Sequence, residues 1–279
     1  MISRRRFLRA CAGVAVSGAG LVLYTCEIEP HWLELVRRPL PISNLPPGLQ
    51  GRTLVHISDV HAGPRVADSY ILDTFARVKA LSPDIVVYTG DYISYQPAVL
   101  AHVERTYANA PRGRLATFGT LGNHDYGPGW NRFELANRLA ERLTVAGIRI
   151  LRNEVGESGG LQVAGADELW AHRFDLRRTL DGLDPARPAI VLSHNPDTVD
   201  LSGWDGYRGW ILSGHTHGGQ CKPPFLPPPI LPVRNKRYTS GEFALSGDRR
   251  LYISRGVGHL RQVRFNVRPE VTVFALETT

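Results

Sequence analysis

The chain has 279 residues, 43% hydrophobic and 21% charged, with 33 Lys and Arg against 26 Asp and Glu and a formal net charge of +7. Arg4, Arg5, Arg6 and Arg9 account for four of those charges; the +3 that remains, with no basic arm interleaved with aromatics, gives no reason to expect a nucleic-acid partner. Three cysteines, of which only Cys221 lies in the body of the chain, exclude a disulfide framework.

The N-terminus reads Ser3-Arg4-Arg5-Arg6-Phe7-Leu8-Arg9 and runs into an apolar, Gly- and Ala-rich stretch to about Thr25 with no acidic residue. Basic residues ahead of a short apolar run mark a targeting segment, here residues 1–26, to be left out of fold reasoning. Its S-R-R-x-F-L form resembles a twin-arginine export signal, which implies contact with that export machinery and a place in the periplasm or on the outer face of the bacterial cytoplasmic membrane. A small-x-small site stands at Ser17-Gly18-Ala19. The apolar run continues past it through Tyr24, slightly short of the roughly 20 residues of a full span, so either a cleaved signal or a membrane-associated anchor fits.

Residues 27–50 form a Pro-rich lead-in, expected as an edge strand and turn, and residues 51–279 suffice for one α/β domain with a full core. Short apolar runs, rich in β-branched residues, predict buried central strands at 54–58, 85–89, 115–121, 189–192 and 210–212. Helical patterns fill the gaps: 70–81, ending at Ser82-Pro83; 130–146, ending at Gly147; and a weaker one over 173–183. Further strands are predicted at 149–151, 161–165, 251–254 and 271–276.

Each of the five central runs ends in side chains suited to borderline divalent metals: Asp59-Val60-His61, Gly90-Asp91, Gly122-Asn123-His124-Asp125, Ser193-His194-Asn195 and Gly214-His215-Thr216-His217. In an α/β sheet, ligands bind just beyond the carboxyl ends of strands, so these clusters should converge. A D-x-H tripeptide alone would prove little. The ordered set resembles the calcineurin-like metallophosphoesterase superfamily, whose signature runs D-x-H, GD, GNH(D/E), H, GHxH. With the N-terminus it resembles the exported phosphodiesterase branch, of the YkuE and YaeI type.

That resemblance implies a four-layer α/β sandwich of two mixed β-sheets flanked by helices. It also implies two divalent metals, manganese, iron or zinc: one held by Asp59, His61, Asp91 and His217, the other by Asp91, Asn123, His194 and His215, with Asp91 bridging. Two-metal hydrolytic sites hold their ions roughly 3.5–4 Å apart and make a bridging hydroxide available for in-line attack on phosphorus. His124 would protonate the leaving group, and Asp125 would orient that imidazole and raise its pKa; the alternative for His124 is a passive neighbour of the metals. Gly90-Asp91-Tyr92-Ile93-Ser94-Tyr95 lacks the Asp-Arg pair that many relatives use to grip phosphate, so a protein-phosphatase function does not carry over.

Residues 220–240 put six prolines around Phe225, Leu226 and Ile230 directly after the last motif. The loop should be stiff and overhang the site. Its apolar residues either pack onto the core or form a substrate wall, with Arg234, Lys236 and Arg237 available to an anionic group. The Gly256-Val257-Gly258-His259 segment is a further candidate cleft loop. The expected substrate is a cell-envelope or lipid-linked phosphoester. A periplasmic nucleotide phosphodiesterase or phosphomonoesterase is the alternative, and a non-catalytic metal-binding module is a third reading.

Overall fold

The computed structural model describes residues 4–94, 99–204 and 206–279, without the side chains of 6–8 and 10–12. Ser3 of the basic motif and Tyr95 after the second metal motif lie outside the described residues.

Two six-stranded sheets face one another. The first has the order β1 (Glu34–Ile42), β12 (Glu270–Thr278), β2 (Thr53–Ile57), β3 (Ile85–Thr89), β4 (Ala116–Thr120), β5 (Arg149–Ile150). Its strands β2 to β5 are parallel, and β12 returns antiparallel to β2 while pairing parallel with β1. The second runs β10 (Gly241–Ala244), β11 (Arg249–Ile253), β9 (Gly209–Ser213), β8 (Ala189–Leu192), β7 (Leu161–Gly165), β6 (Glu154–Ser158). Its four central strands are parallel and both edge strands antiparallel.

The period-2 alternation of strands decides which residue enters which layer. Leu54, Ile85, Val87, Phe118, Val163, Ile190, Leu192 and Leu212 meet between the sheets. Their neighbours Val55, Ile57, Val86 and Tyr88 point outward, under α2 (Asp68–Ala80), α3 (Val99–Tyr107) and α4 (Phe133–Val145). Outside the second sheet, Val191, Ile211 and Ile253 pack with Trp204, Tyr238 and Leu176 of α5 (Leu176–Asp181). The four-layer α/β sandwich is therefore present, with its central strands buried on both faces and accordingly mostly apolar.

Helices α2 and α4 bury Tyr70, Ile71, Phe75 and Val78, and Ala136, Leu139 and Leu143, the spacing of a single apolar stripe. Two expected helices are shorter than their patterns. Pro128 sits between Gly127 (φ 68°) and Gly129 (φ 72°) in a 3₁₀ turn, which delays α4 to Phe133. The weak 173–183 pattern yields only α5, begun by Asp175, whose side chain accepts from the Arg178 N–H at 3.0 Å.

The Pro-rich lead-in contributes β1, an edge strand that accommodates Pro39 and Pro41 because one side of its ladder needs no partner. Ahead of it, the N-terminal helix α1 (Arg4–Leu23) passes into a single π-turn at Tyr24–Ile28. This turn is fastened to the body: Arg264 N–H donates to the Thr25 carbonyl (2.8 Å), and Val267 N–H donates to the buried Glu29 carboxylate (2.5 Å). Among the described residues, no helix is long and apolar enough to cross a membrane.

Candidate metal centre and active-site cleft

The carboxyl ends of β2, β3 and β4 from one sheet and β8 and β9 from the other open onto a shared cleft, and the five motifs turn out of these ends. The turns are tight. Asp59, His61, Asp91, His215 and His217 all adopt positive φ between 50° and 70°, a region in which non-glycine residues cost free energy and cluster at functional sites. His215 and His217 thus leave a turn, not an extended segment, which sends their rings to different places. Gly122 is required for closeness, since a Cβ there would strike the Asp91 carboxylate; one at Gly214 would strike Ser58 and Asp59.

Two ligand clusters result, Asp59-His61-His217 and Asp91-His194-His215, each with its donor atoms within 4.8 Å of one another and every member buried. Asn123 joins the second, its Oδ1 3.1 Å from His194 Nε2. Asp91 faces both: its Oδ2 lies 3.6 Å from His61 Nε2 and 3.3 Å from His194 Nε2, while its Oδ1 accepts the His124 N–H. One carboxylate oxygen therefore points between the clusters. Asp59 lies with Oδ1 3.4 Å from His217 Nε2 and accepts the His215 N–H on both oxygens.

These residues fit divalent cations. His194 Nδ1 lies 2.7 Å from the Thr89 carbonyl and His215 Nε2 2.7 Å from the Pro232 carbonyl. A carbonyl only accepts, so those nitrogens hold protons and the opposite ring nitrogens face the cleft, the outer-shell arrangement of metal-bound histidines. His61 Nε2 stands 3.1 Å from His217 Nε2, and His215 Nδ1 3.2 Å from His194 Nε2. Burial lowers His61 and His215 to about 3 and takes His217 well below the ordinary histidine range, so these three rings are neutral. Neutral nitrogen lone pairs aimed at a common point are what a cation between them satisfies.

The carboxylates diverge. Burial, with the charge of Asp91, pushes Asp59 up to about 7. Burial acts on Asp91 in the same sense but is outweighed by His194 and His124, which hold its carboxyl well below the usual range. At His194 burial is likewise outweighed, by Asp91, and the ring is raised to about 10. That proton would sit on Nε2, the atom that faces the cleft, so cation binding there is coupled to proton release.

His124 lines the cleft, half-buried, its ring 5.1 Å from that of His61 and edge-on to it. Asp125 behaves differently from the sequence-based expectation. Its Oδ1 accepts from Tyr92 N–H (2.8 Å) and Ile93 N–H (3.3 Å), and its Oδ2 from Gly122 N–H (2.8 Å). The carboxylate is committed to these backbone amides and pins the turn carrying Asp91 to the turn carrying Asn123. Burial and the Asp91 charge push its carboxyl upward, against the Gly122 and Ile93 N–H groups, which favour the ionised form.

Sequence reasoning missed Glu168. It is buried past the end of β7, with Oε2 accepting the Ala171 N–H (2.8 Å), Oε1 unpartnered, and its carboxyl raised by burial to about 7. Acidic residues after a strand were the available signal, the same one that flagged Asp59. Also missed were Trp130 and Trp170, packed at 4.5 Å with their rings tilted by 42°, and Trp170 edge-on to His215 at 4.5 Å. They line both the metal cleft, a cavity of about 510 Å³, and a neighbouring one of about 890 Å³ that includes Phe133, Arg173 and Arg234. The Gly256–Gly258 loop has a structural task. Val257 and Gly258 N–H donate to the Ser58 and Asp59 carbonyls, and the buried Arg264 guanidinium donates to the Gly256 and Gly258 carbonyls. Phe225, Leu226 and Ile230 are not packed onto the core. They are exposed, while Pro229, Ile230 and Pro232 wall the cleft.

A two-sheet sandwich that presents two such ligand sets around one shared carboxylate defines a dinuclear metallohydrolase. Residues 52–219 match the sequence model of the calcineurin-like phosphoesterases, and the chain belongs to that family, hydrolases of phosphoric esters with a dinuclear divalent-metal centre. It is 33% identical to the phosphodiesterase YaeI of Escherichia coli K12, over 99% of this chain and 100% of that one. It is 32% identical to the uncharacterized metallophosphoesterase YkuE of Bacillus subtilis 168, over 100% and 99%. The UDP-2,3-diacylglucosamine pyrophosphatase LpxG of Chlamydia muridarum is 26% identical, over 90% and 91%.

Proposed function

We propose that the protein is an exported phosphodiesterase that acts on a lipid-linked or cell-envelope phosphoester. The observation that supports phosphoester hydrolysis most directly is Asp91 Oδ2, placed between two buried sets of imidazoles and carboxylates. Divalent cations bound there supply Lewis acidity toward the phosphoryl oxygens and a lowered pKa for water. Asp59, His61 and His217 would hold one, Asn123, His194 and His215 the other, and Asp91 both. His124, fixed through its own N–H on Asp91, presents its imidazole to the cleft, where it gives a proton to the leaving oxygen. Asp125 keeps the two turns in register.

The substrate class draws on the relatives, one named a phosphodiesterase and another a pyrophosphatase of a diacylated nucleotide sugar. The apolar cleft wall at Pro229, Ile230 and Pro232 agrees with it. The export reading draws on the Arg4-Arg5-Arg6-Phe7-Leu8 start. A nucleotide phosphodiesterase or phosphomonoesterase is favoured instead by the neighbouring cavity, where Trp130, Trp170 and Phe133 offer stacking and Arg173 and Arg234 offer charge.

The test is hydrolysis of bis-p-nitrophenyl phosphate against p-nitrophenyl phosphate by the full chain reconstituted with Mn²⁺, beside His124→Ala. Diester preference with a roughly 10²–10⁴-fold lower kcat in His124→Ala and unchanged metal content is expected. Monoester preference would make the protein a phosphatase. No turnover with any divalent metal would make it a binding module.

A further inference from the structure

Two apolar elements left exposed by the fold are tethered to one stretch, residues 262–266, beside the metal cleft. The first is the loop 223–230, in which Phe225, Leu226 and Ile230 are 104%, 59% and 75% exposed. Five prolines stiffen it, so these side chains are held in solvent by the backbone and do not collapse onto the protein. The second is α1, whose Val14, Val16, Leu21, Val22 and Leu23 are exposed as well. Both hang from one short stretch. Arg264 N–H donates to the Thr25 carbonyl at the exit of α1, while Lys222 N–H donates to the Phe265 carbonyl and the Asn266 amide reaches the Lys222 carbonyl at the stem of the loop. Gln262 further ties this stretch to Cys26 and Glu27. Leu260, Arg261 and Val263 beside it line the metal cleft.

The charge around these elements is mostly positive, Glu27 at the exit of α1 being an exposed exception. No acidic residue occurs at 220–240, at 254–269 or in α1, whereas Lys222 and Arg261 lie at the rim and Arg4, Arg5 and Arg9 on the helix. An apolar surface ringed by cations matches an anionic lipid surface. The helix alone is too short or too polar to span a bilayer, and a single apolar element gives only marginal, reversible attachment, so stable docking takes two.

We propose that loop 223–230 and α1 together form a bilayer-docking face that seats the mouth of the metal cleft against an anionic membrane. The phosphoester then reaches the metals from the lipid side, past Ile230 and Pro229, without leaving the bilayer. Docking is independent of catalysis; only the delivery of substrate rests on the proposed activity.

The experiment measures co-sedimentation of the full chain with vesicles of phosphatidylglycerol and phosphatidylethanolamine, alongside turnover of soluble bis-p-nitrophenyl phosphate. Wild type is compared with Phe225→Ser/Leu226→Ser and with Val145→Ser, an exposed apolar residue on α4. The expected result is at least a tenfold loss of vesicle partitioning in the double variant and none in Val145→Ser, with turnover free of vesicles equal in all three. Anionic vesicles should also suppress soluble-diester turnover by wild type, whose cleft they cover, and spare the double variant. Equal partitioning of wild type and double variant would overturn the proposal, as would an equal loss in Val145→Ser, or full vesicle binding with undiminished turnover. If no protein turns over the diester, the sedimentation result still decides the docking face, and the hydrolase reading fails separately.

Discussion

Replacing Asp125 with Asn separates two accounts of the GNHD turn. In the structure, the carboxylate accepts three backbone N–H groups, from Tyr92, Ile93 and Gly122, in a fully buried setting. Asparagine keeps one acceptor oxygen and puts an NH₂ where the other oxygen was. Turned to preserve the Tyr92 and Ile93 contacts, it faces the Gly122 N–H donor to donor. A hydrogen bond to a charged group is worth about 1.5–3 kcal/mol, and an unsatisfied buried donor costs a similar amount, so the substitution should destabilise by about 2–4 kcal/mol. At roughly 2–4 °C per kcal/mol in a chain of this size, the midpoint should fall by about 10 °C. Since the two turns carry Asp91 and Asn123, metal affinity should fall with it. Differential scanning fluorimetry across a Mn²⁺ titration reads both, and the pH dependence of kcat at saturating metal reads His124. The prediction is a lower midpoint, a weaker metal response and an unmoved His124 limb. An unchanged midpoint with a displaced limb would refute the reasoning and return Asp125 to the role of orienting His124.

Gly122→Ala should be more damaging than its size suggests, because the added methyl meets the Asp91 carboxylate and backbone. Metal content measured by mass spectrometry should drop below one ion per chain, where a tolerated methyl would leave it unchanged. Asp84 provides a pH test remote from the metals. Burial would raise its carboxyl, but hydrogen bonds from Thr53 and Arg114 outweigh that and hold it below the ordinary value. A depressed folded pKa contributes stability above the unfolded value of about 3.9, and that contribution is lost as pH falls through the folded one. The midpoint difference between wild type and Asp84→Asn should therefore be constant from neutral pH to about pH 5 and shrink below about pH 4; a difference that grows on acidification would contradict the assignment.

The central strands and the convergence of the seven candidate ligands were legible because both signals are local. A continuous apolar run followed at once by Asp, His or Asn reports a strand buried on two faces that ends in a site, without knowledge of what lies beside it. Helix α3 gave no such signal: Val99, Val103 and Tyr107 are separated by His102, Glu104 and Arg105, and its partners come from α2 and α4. Strands β6 and β10 are half-exposed edges with little apolar content, held by pairing to β7 and β11. Asp125 was misread for a related reason. Adjacency in sequence implied a bond to His124, whereas Oδ1 serves amides about thirty residues upstream and Oδ2 that of Gly122. The positive φ of five ligands is likewise a tertiary property, visible in the sequence only as nearby glycines.

The central claim is that two divalent ions share Asp91. Metal content of the purified full chain after reconstitution, for wild type and Asp91→Asn, measured together with bis-p-nitrophenyl phosphate hydrolysis, tests it most directly. The account predicts two ions per wild-type chain and metal-dependent turnover, with loss of at least one ion and of turnover in Asp91→Asn. A wild-type enzyme active with one ion or none, or an Asp91→Asn variant that keeps two ions and its rate, would contradict it.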